Sequence, residues 1–232
     1  MNKTIGILGG MGPMATCDLM KKIIEHTDAS CDQEHFRICV DSNTNIPDRT
    51  AAILGHGADP RPEMIKSALH LQAMGADVVI VPCNTAHYFL PDVEKSVDVP
   101  FLHMPRETAK VLSAQGVRAA AVLATDGTIQ SGIYDQELNA LGITPIHPEP
   151  DAQKLIMSLI YDYVKAGKDY PYPDKLLALQ ENLQQQGAEA MILGCTELPI
   201  AFAGLKILLP AVDPTDILAG SAIQCVGGSV KK

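Results

Sequence analysis

One stretch of this sequence occurs twice. Residues 75–87 are GADVVIVPCNTAH and residues 187–199 are GAEAMILGCTELP, and at one constant offset Cys83 corresponds to Cys195. Each copy contains a glycine that can end a helix, an apolar run that predicts a buried strand, and a cysteine followed by polar residues. The repeat indicates that the chain is a duplication of one α/β unit, with one such cysteine in each copy.

The composition excludes several classes of function. The 232 residues are enough for two units of about 100 to 130 residues. Tryptophan is absent and aromatic residues make up only 4%, which disfavours a surface that stacks nucleic-acid bases. A net charge of -9 repels phosphate backbones. We therefore expect no nucleic-acid partner, and an acidic substrate must be bound by a local group of cations.

Targeting and redox signals point to a reducing compartment. The opening sequence MNKTIGILGG lacks the features of a signal peptide, and no apolar run reaches the roughly 18 residues of a membrane span. The six cysteines show no CxxC pair and no zinc-ribbon spacing. We expect a cytoplasmic protein with free thiols and no membrane partner.

The first half of the chain alternates strands with helices. Apolar runs predict strands over Thr4–Leu8, Phe36–Val40 and Val78–Val81, and helical spacing predicts helices over Met14–His26 and Pro62–Met74. The polar stretch Asp41–Arg49, DSNTNIPDR, is predicted to be a loop. Such alternation is typical of parallel sheets built from right-handed crossover units.

The second half repeats this order. Strands are predicted over Arg118–Ala124 and Ala190–Leu193, and helices over Asp151–Ala166 and Asp174–Gln186. A last helix, Thr215–Val226, is expected to return to the first half.

The predicted fold class is therefore α/β, with two similar lobes that each have a mostly parallel sheet flanked by helices. We expect a pseudo-two-fold relation between the lobes and an active site in the cleft between them, because ligands bind beyond the carboxyl ends of parallel strands. The predicted first lobe is 1–100 plus 212–232 and the second is 101–211, with crossings at Pro91–Pro105 and Leu208–Pro214.

Cys83 and Cys195 are the candidate catalytic residues. A thiolate can remove a proton from a carbon while a thiol on the opposite face returns one, which is what racemisation requires. The sequence shows no lysine in a convincing Schiff-base setting, so pyridoxal phosphate and other cofactors are not expected. A buried, inert thiol is the alternative, and we keep that interpretation for the remaining cysteines, namely Cys17, Cys31, Cys39 and Cys225.

Polar residues follow both cysteines. Asn84, Thr85 and Thr196 can hold a carboxylate or simply cap a helix. Glu197 and His87 can assist proton movement or tune the thiols. Cys83 and His87 also have the i, i+4 spacing of metal ligands, but the second copy lacks the matching histidine, so no metal is expected.

A nucleotide-binding protein or dehydrogenase is the alternative from another class. Residues 10–15, GMGPMA, match the dinucleotide fingerprint GxGxxG/A, and Asp41 follows the second strand as a ribose-binding acid would. However, Gly9 and Pro13 make a different turn, and a nucleotide site leaves the cysteine repeat unexplained.

Four motifs identify a family resemblance. With LGGMGPMAT near its start, PDRT at 47–50, PCNTAH at 82–87 and GCTELP at 194–199, the chain resembles the aspartate racemases of the cofactor-independent aspartate/glutamate racemase superfamily. The resemblance extends over the whole chain. It implies two similar α/β lobes, an active site between them, no cofactor, a small dicarboxylic amino acid as substrate, and a homodimer.

The resemblance also implies roles for individual residues. Cys83 and Cys195 match the catalytic pair, in which one acts as base and the other as acid. Other residues match positions that hold or cover the amino-acid head group, and these are Met11, Asn84, Thr85, Ala86 and Thr196, with Thr125 as an auxiliary residue.

Two cations are expected to bind the side-chain carboxylate of the substrate. Arg49 in PDRT looks like the first, although without the resemblance the sequence favours a solvated surface charge for both Arg49 and Lys165. Lys165 in YVKAGK looks like the second, and Lys168 competes with it for that role.

The substrate is less strongly indicated than the reaction. Glutamate racemases of the superfamily typically have CNTAS and GCTHYP, with histidine where this chain has Glu197, so the departure favours L- and D-aspartate. Racemisation of glutamate or another amino acid remains an alternative. A dicarboxylate isomerase or decarboxylase is a further one, although those enzymes usually keep fewer cysteines.

Overall fold

The computed structural model describes residues 3–231 and divides the chain into two compact units. The first unit runs up to Glu107 and resumes at Thr215, and the second is Thr108–Pro214. The boundary between the units at Glu107 and Thr108 lies inside a helix, α5 (Met104–Ala114).

The sheet of the first unit has three parallel strands in the order β2-β1-β3. They are β1 (Thr4–Gly9), β2 (Arg37–Ser42) and β3 (Val78–Ile80). The first helices are α1 (Pro13–His26), α2 (Arg49–Ile53), α3 (Arg61–Ala73) and α4 (Leu90–Val93), with 3-10 turns at Asp32–Glu34, Thr85–Tyr88 and Glu94–Ser96.

The sheet of the second unit is also parallel and has four strands in the order β5-β4-β6-β7. They are β4 (Ala119–Ala124), β5 (Thr144–Ile146), β6 (Ala190–Gly194) and β7 (Ala211–Val212). The helices are α6 (Asp126–Ser131), α7 (Ile133–Ala140), α8 (Pro150–Ser158), α9 (Pro173–Gln185) and α10 (Leu198–Phe202), with a π-helical turn at Leu159–Val164. Helix α11 (Pro214–Cys225) returns the chain to the first unit.

Aliphatic side chains cover both faces of each sheet. In the first unit, Ile5 and Ile7 of β1 pack with Leu19 of α1 and Leu218 of α11, whereas Leu8 faces the cluster on the other side. In the second unit, two separate clusters cover the two faces of β4 and β6 in the same way. Fully buried parallel strands need apolar residues at successive positions, which explains runs such as VVIV and MIL.

The repeat seen in the sequence is also present in the backbone. Gly75 (φ +84) and Gly187 (φ +95) each end a helix in the left-handed conformation. Asp77 Oδ2 then accepts a hydrogen bond from the N–H of Thr4 at 2.6 Å, just as Glu189 Oε2 accepts one from the N–H of the residue before β4 at 2.7 Å. These matched contacts fix the cysteine strand against the central strand in both units. The predicted α/β class with two parallel sheets is confirmed.

Several local predictions are corrected. The predicted helix Asp151–Ala166 is α-helical only to Ser158 and continues as the π-helical turn. The predicted loop after the second strand is shorter, since β2 extends to Ser42 and α2 begins at Arg49. None of the helices within residues 3–231 is long and apolar enough to cross a membrane.

Candidate active site

The loop between β1 and α1 is built around Gly10, which has φ +90. A Cβ at this position would lie only 2.4 Å from the carbonyl carbon of Asn43, so a side chain does not fit. Thr16 Oγ1 accepts a hydrogen bond from the Gly10 N–H (2.9 Å) and donates one to the Gly12 carbonyl (3.0 Å). Gly10 thus allows close packing of two loops at the carboxyl ends of β1 and β2, and this packing positions the neighbouring Met11.

Arg49 joins these loops. It is the first residue of α2, a helix whose N-terminus is capped by the Asp48 carboxylate. The prediction that Arg49 lies in a loop is therefore wrong. Its Nη1 donates to the carbonyls of Pro47 (2.9 Å) and Ile46 (3.3 Å), and its Nη2 lies 3.5 Å from the carbonyl of Met11. The half-buried guanidinium is therefore held in place by backbone oxygens.

Cys83 follows β3 and is a free thiol with 7% of its surface exposed. It shares one apolar cluster with Met11 and Ala86. Asn84 and Thr85 are buried, and the 3-10 turn that begins at Thr85 packs against α2. The predicted site residues of the first unit are thus gathered at the carboxyl edge of its sheet.

His87 fixes the backbone of this turn. Its Nδ1 lies 2.9 Å from the Cys83 carbonyl and 3.3 Å from the Asn84 carbonyl, and its Nε2 accepts the Met104 N–H at 3.0 Å. Carbonyls only accept and an amide N–H only donates, so the ring is neutral with its proton on Nδ1. Burial and the neighbouring His103 lower the pKa of His87 to about 3. Both nitrogens are occupied, so this geometry gives His87 a structural role and does not support proton transfer to a substrate.

Cys195 follows β6 in the second unit and is also a buried free thiol. Its Sγ lies 2.9 Å from Glu197 Oε2, and Thr196 Oγ1 donates to the same oxygen at 3.1 Å. Burial first, and then the negative charge and hydrogen bond of Glu197, raise the pKa of Cys195 well above that of an ordinary thiol. Cys195 is therefore protonated at neutral pH.

Lys165 is the cation nearest to this group. Its Nζ lies 3.9 Å from Glu197 Oε1 and 4.4 Å from the centre of the Tyr161 ring. The π-helical turn produces this placement, because the Lys165 N–H bonds to the Ile160 carbonyl instead of the α-helical partner. Lys168 instead lines a cavity of about 350 Å³ beside α9 and α10. Of the two predicted lysines, only Lys165 contacts the surroundings of Cys195.

Thr125 lies at the carboxyl end of β4 as the N-cap of α6. Its buried hydroxyl accepts the N–H of Thr128 at 3.3 Å, so it supports the helix start. Beside it, a cavity of about 570 Å³ is lined by Asp126, Gln153 and Tyr161, among others. Gln153 Nε2 donates to the Asp126 carboxylate at 2.7 Å and closes one wall of this cavity. This is open space at the carboxyl edge of the second sheet.

Sequence reasoning missed several supporting residues. His103 stacks edge-on against His87 with ring centroids 4.8 Å apart. The buried Tyr134 of α7 approaches Gly194, where a Cβ would lie 3.3 Å from its ring, and Tyr161 lies beneath Lys165. The contacts of His103 and Tyr134 join residues distant in the chain, whereas that of Tyr161 lies within one helical turn, and none belongs to a recognisable motif.

Comparison with known proteins gives the family. Residues 8–222 match the family described as Asp/Glu/Hydantoin racemase. The chain belongs to this family. It is an amino-acid racemase of the aspartate/glutamate superfamily, whose members work without pyridoxal phosphate.

Two of the relatives match nearly the whole chain. The solved structure of Picrophilus torridus aspartate racemase is 31% identical with a TM-score of 0.85, and the match covers 99% of this chain and 96% of that one. The broad specificity amino-acid racemase RacX of Bacillus subtilis is 29% identical over 95% of this chain and 96% of its own length. A glutamate racemase of Koribacter versatilis is also 29% identical, but the match spans 70% of this chain and only 54% of the relative.

Family membership overturns the nucleotide-binding alternative. Gly10 is explained by packing on Asn43, and Asp41 lies within β2 with its Oδ2 3.1 Å from His70 Nδ1. Within residues 3–231, no group of three or more His, Cys, Asp or Glu residues is arranged to hold a metal ion.

Proposed function

We propose that this racemase interconverts L- and D-aspartate by a two-base mechanism that uses Cys83 and Cys195. The observation behind the proposal is the duplicated turn, in which each repeat presents one buried free thiol within three residues of the end of a strand, at the carboxyl edge of its sheet. A side chain so placed is oriented by rigid backbone and shielded from water, as abstraction of a weakly acidic Cα proton requires.

The reaction needs one thiolate and one thiol on opposite faces of the α-carbon. The thiolate of one cysteine takes the Cα proton and becomes a thiol, while the other cysteine gives its S–H proton to the carbanion and becomes a thiolate. The configuration is inverted and the total number of protons is unchanged. Asn84, Thr85 and Thr196 are proposed to hold the amino-acid head group, with Met11, Ala86 and Thr125 beside them.

Aspartate is proposed as the preferred substrate because it has a second carboxylate and the chain supplies two cations. Arg49 is held by backbone carbonyls and Lys165 by Glu197 and Tyr161. Similarity to an aspartate racemase over almost the whole chain, together with Glu197 in place of the histidine of glutamate racemases, supports aspartate over glutamate. RacX shows that broader specificity occurs among relatives, so the substrate must be tested directly.

Racemisation of L-aspartate, L-glutamate, L-alanine and L-lysine by the purified protein, without added pyridoxal phosphate, tests this proposal. Chiral chromatography should detect D-aspartate as the fastest product, with D-alanine formed at least about a hundredfold more slowly, since it lacks the second carboxylate. Faster racemisation of glutamate or of a monocarboxylic amino acid would reject the aspartate assignment. Racemisation of none of the four would reject the proposed substrate class.

A further inference from the structure

Glu197 has no part in the proton transfers just described, yet its carboxylate is the closest charged group to Cys195. Its Oε2 receives both the Cys195 thiol at 2.9 Å and the Thr196 hydroxyl at 3.1 Å. The Glu197 side chain is only 14% exposed. In the first repeat the equivalent position is occupied by Thr85, which has no charge.

This contact requires a proton between sulfur and oxygen. A thiolate and a carboxylate at this distance would place two negative charges side by side in a buried setting, which is strongly unfavourable. With the proton on sulfur, the thiol donates a charge-assisted hydrogen bond to the carboxylate.

The other groups that face the pair decide where the proton resides. Lys165, at the end of the π-helical turn, lies beside the second oxygen of Glu197 at 3.9 Å and stabilises the ionised carboxylate. Thr196 donates to the first oxygen with the same effect. Tyr134 of α7 is fully buried, and burial raises its pKa so that it stays neutral. The positive charge of Lys165 lowers the pKa of Cys195, but burial and then the charge and hydrogen bond of Glu197 raise it more, so the proton stays on Cys195.

We propose that Glu197 is a positioning residue that keeps the proton on Cys195 in the resting enzyme, so that Cys195 is the acid and Cys83 the base of the first turnover. The inference rests on the proposed two-base function. Cys195 becomes a thiolate only when its proton passes to the substrate carbanion, and it is then the base for the opposite enantiomer, with Cys83 as the thiol. The resting enzyme is thus ready for the enantiomer whose Cα–H faces Cys83.

Thiol alkylation tests the inference without turnover. Wild type and Glu197→Gln are treated with iodoacetamide from pH 6 to 11, and modification of Cys195 and Cys83 is quantified separately by peptide mass spectrometry. The midpoint of a pH profile reports the thiol pKa, whereas limited access changes only the plateau. In Glu197→Gln the Cys195 midpoint should fall by at least about one pH unit, which raises alkylation below the midpoint about tenfold.

Two controls accompany this variant. Glu181→Gln removes an exposed carboxylate of α9, changes the net charge equally and should leave the Cys195 profile unchanged. Glu197→Asp keeps the charge and should restore most of the high midpoint, which a general disturbance of the turn would not do. The Cys83 profile should be the same in all variants.

An unchanged Cys195 midpoint in a folded Glu197→Gln protein overturns the inference, and so does an equal fall in Glu197→Asp. Because alkylation needs no substrate, this failure is separate from failure of the proposed function. A protein that racemises aspartate but has an unshifted midpoint retains the function and loses the inference. A protein that shows the shifted Cys195 midpoint but does not racemise aspartate retains the effect of Glu197 on Cys195 and loses the proposed function.

Discussion

The turns after Cys83 and Cys195 follow equivalent strands, but they surround their thiols differently. In the first unit the neutral ring of His87 binds the backbone carbonyl of Cys83, so the turn is held through main-chain contacts. In the second unit the carboxylate of Glu197 binds the Cys195 thiol itself. Duplication has therefore kept the scaffold and diversified the groups that set the chemistry.

The same contrast applies to the two cations. Arg49 is fixed by carbonyl oxygens of its own unit, whereas Lys165 is held by a carboxylate and an aromatic ring. A guanidinium on rigid backbone is preorganised to bind a carboxylate, while a lysine 31% exposed at its side chain has more freedom. We expect the two units to contribute unequally to substrate binding.

The largest effect is expected from the cysteines. Cys83→Ser and Cys195→Ser should each lower kcat for aspartate racemisation by at least about a thousandfold, since the loss of either group blocks one proton transfer. Cys17→Ser, which alters an exposed thiol, is the control. Elimination from a substrate with a β leaving group needs only a base and should survive in one of the two variants. Normal racemisation by both variants would exclude the two-base mechanism.

Removal of the cations should rank the two units. Arg49→Ala should reduce kcat/KM for aspartate, with a loss of transition-state stabilisation of about 2 to 5 kcal/mol, because a buried substrate carboxylate is left unpaired. Lys165→Ala should cost less, since the amine is more exposed. Arg49→Lys retains the positive charge but lacks the planar guanidinium that can bind a carboxylate through two hydrogen bonds. Lys168→Ala is the matched control for Lys165→Ala. Equal losses in Arg49→Ala and Lys168→Ala would show that only net charge matters.

His87 should make stability sensitive to acid. Its pKa is about 3 when folded and about 6.5 when unfolded, so the unfolded state takes up the proton first. The stabilisation is complete above pH 6.5 and is lost as pH falls toward 3, by about 2 kcal/mol at pH 5. Urea unfolding of wild type and His87→Gln at pH 8 and pH 5 measures this. The glutamine variant should lose less stability between these pH values, and identical losses would contradict the neutral, buried ring.

The residue before each cysteine gives a smaller effect. Gly194 corresponds to Pro82, and a Cβ at Gly194 would lie 3.0 Å from the Leu123 carbonyl and 3.2 Å from the Ala124 Cβ. Gly194→Ala should therefore destabilise the protein by about 1 to 2 kcal/mol through overpacking. Pro82→Ala introduces no larger side chain and serves as the comparison. Thermal unfolding that ranks the two variants equally would show that Gly194 has room for a methyl group.

Much of this architecture could be predicted from the sequence because local signals agreed with the global fold. The strands before both cysteines are uninterrupted apolar runs, and Gly75 and Gly187 end the preceding helices as expected. Helix α5 was missed because the prolines near it suggested a crossing. The short strands β5 and β7 were missed because two or three residues carry almost no periodic signal.

The surroundings of the thiols could be predicted only in part. Sequence spacing grouped Cys195 with Glu197, but a separation of two residues does not show that sulfur and carboxylate are in contact. The choice between Lys165 and Lys168 depended on the π-helical turn, which shifts the helical phase without any signal in the periodicity. The role of His87 depended on Met104, a partner distant in the chain.

Isotope incorporation at low conversion tests the two-base account most directly. Wild-type enzyme is incubated with L-aspartate in D2O, and the deuterium content at the α-carbon is measured separately in recovered L-aspartate and in newly formed D-aspartate. Two bases predict deuterium in the D-product from the first turnovers and protium in the recovered L-substrate, since the product is protonated by a different thiol. Deuterium that accumulates equally fast in recovered L-aspartate would show that a single group both removes and returns the proton.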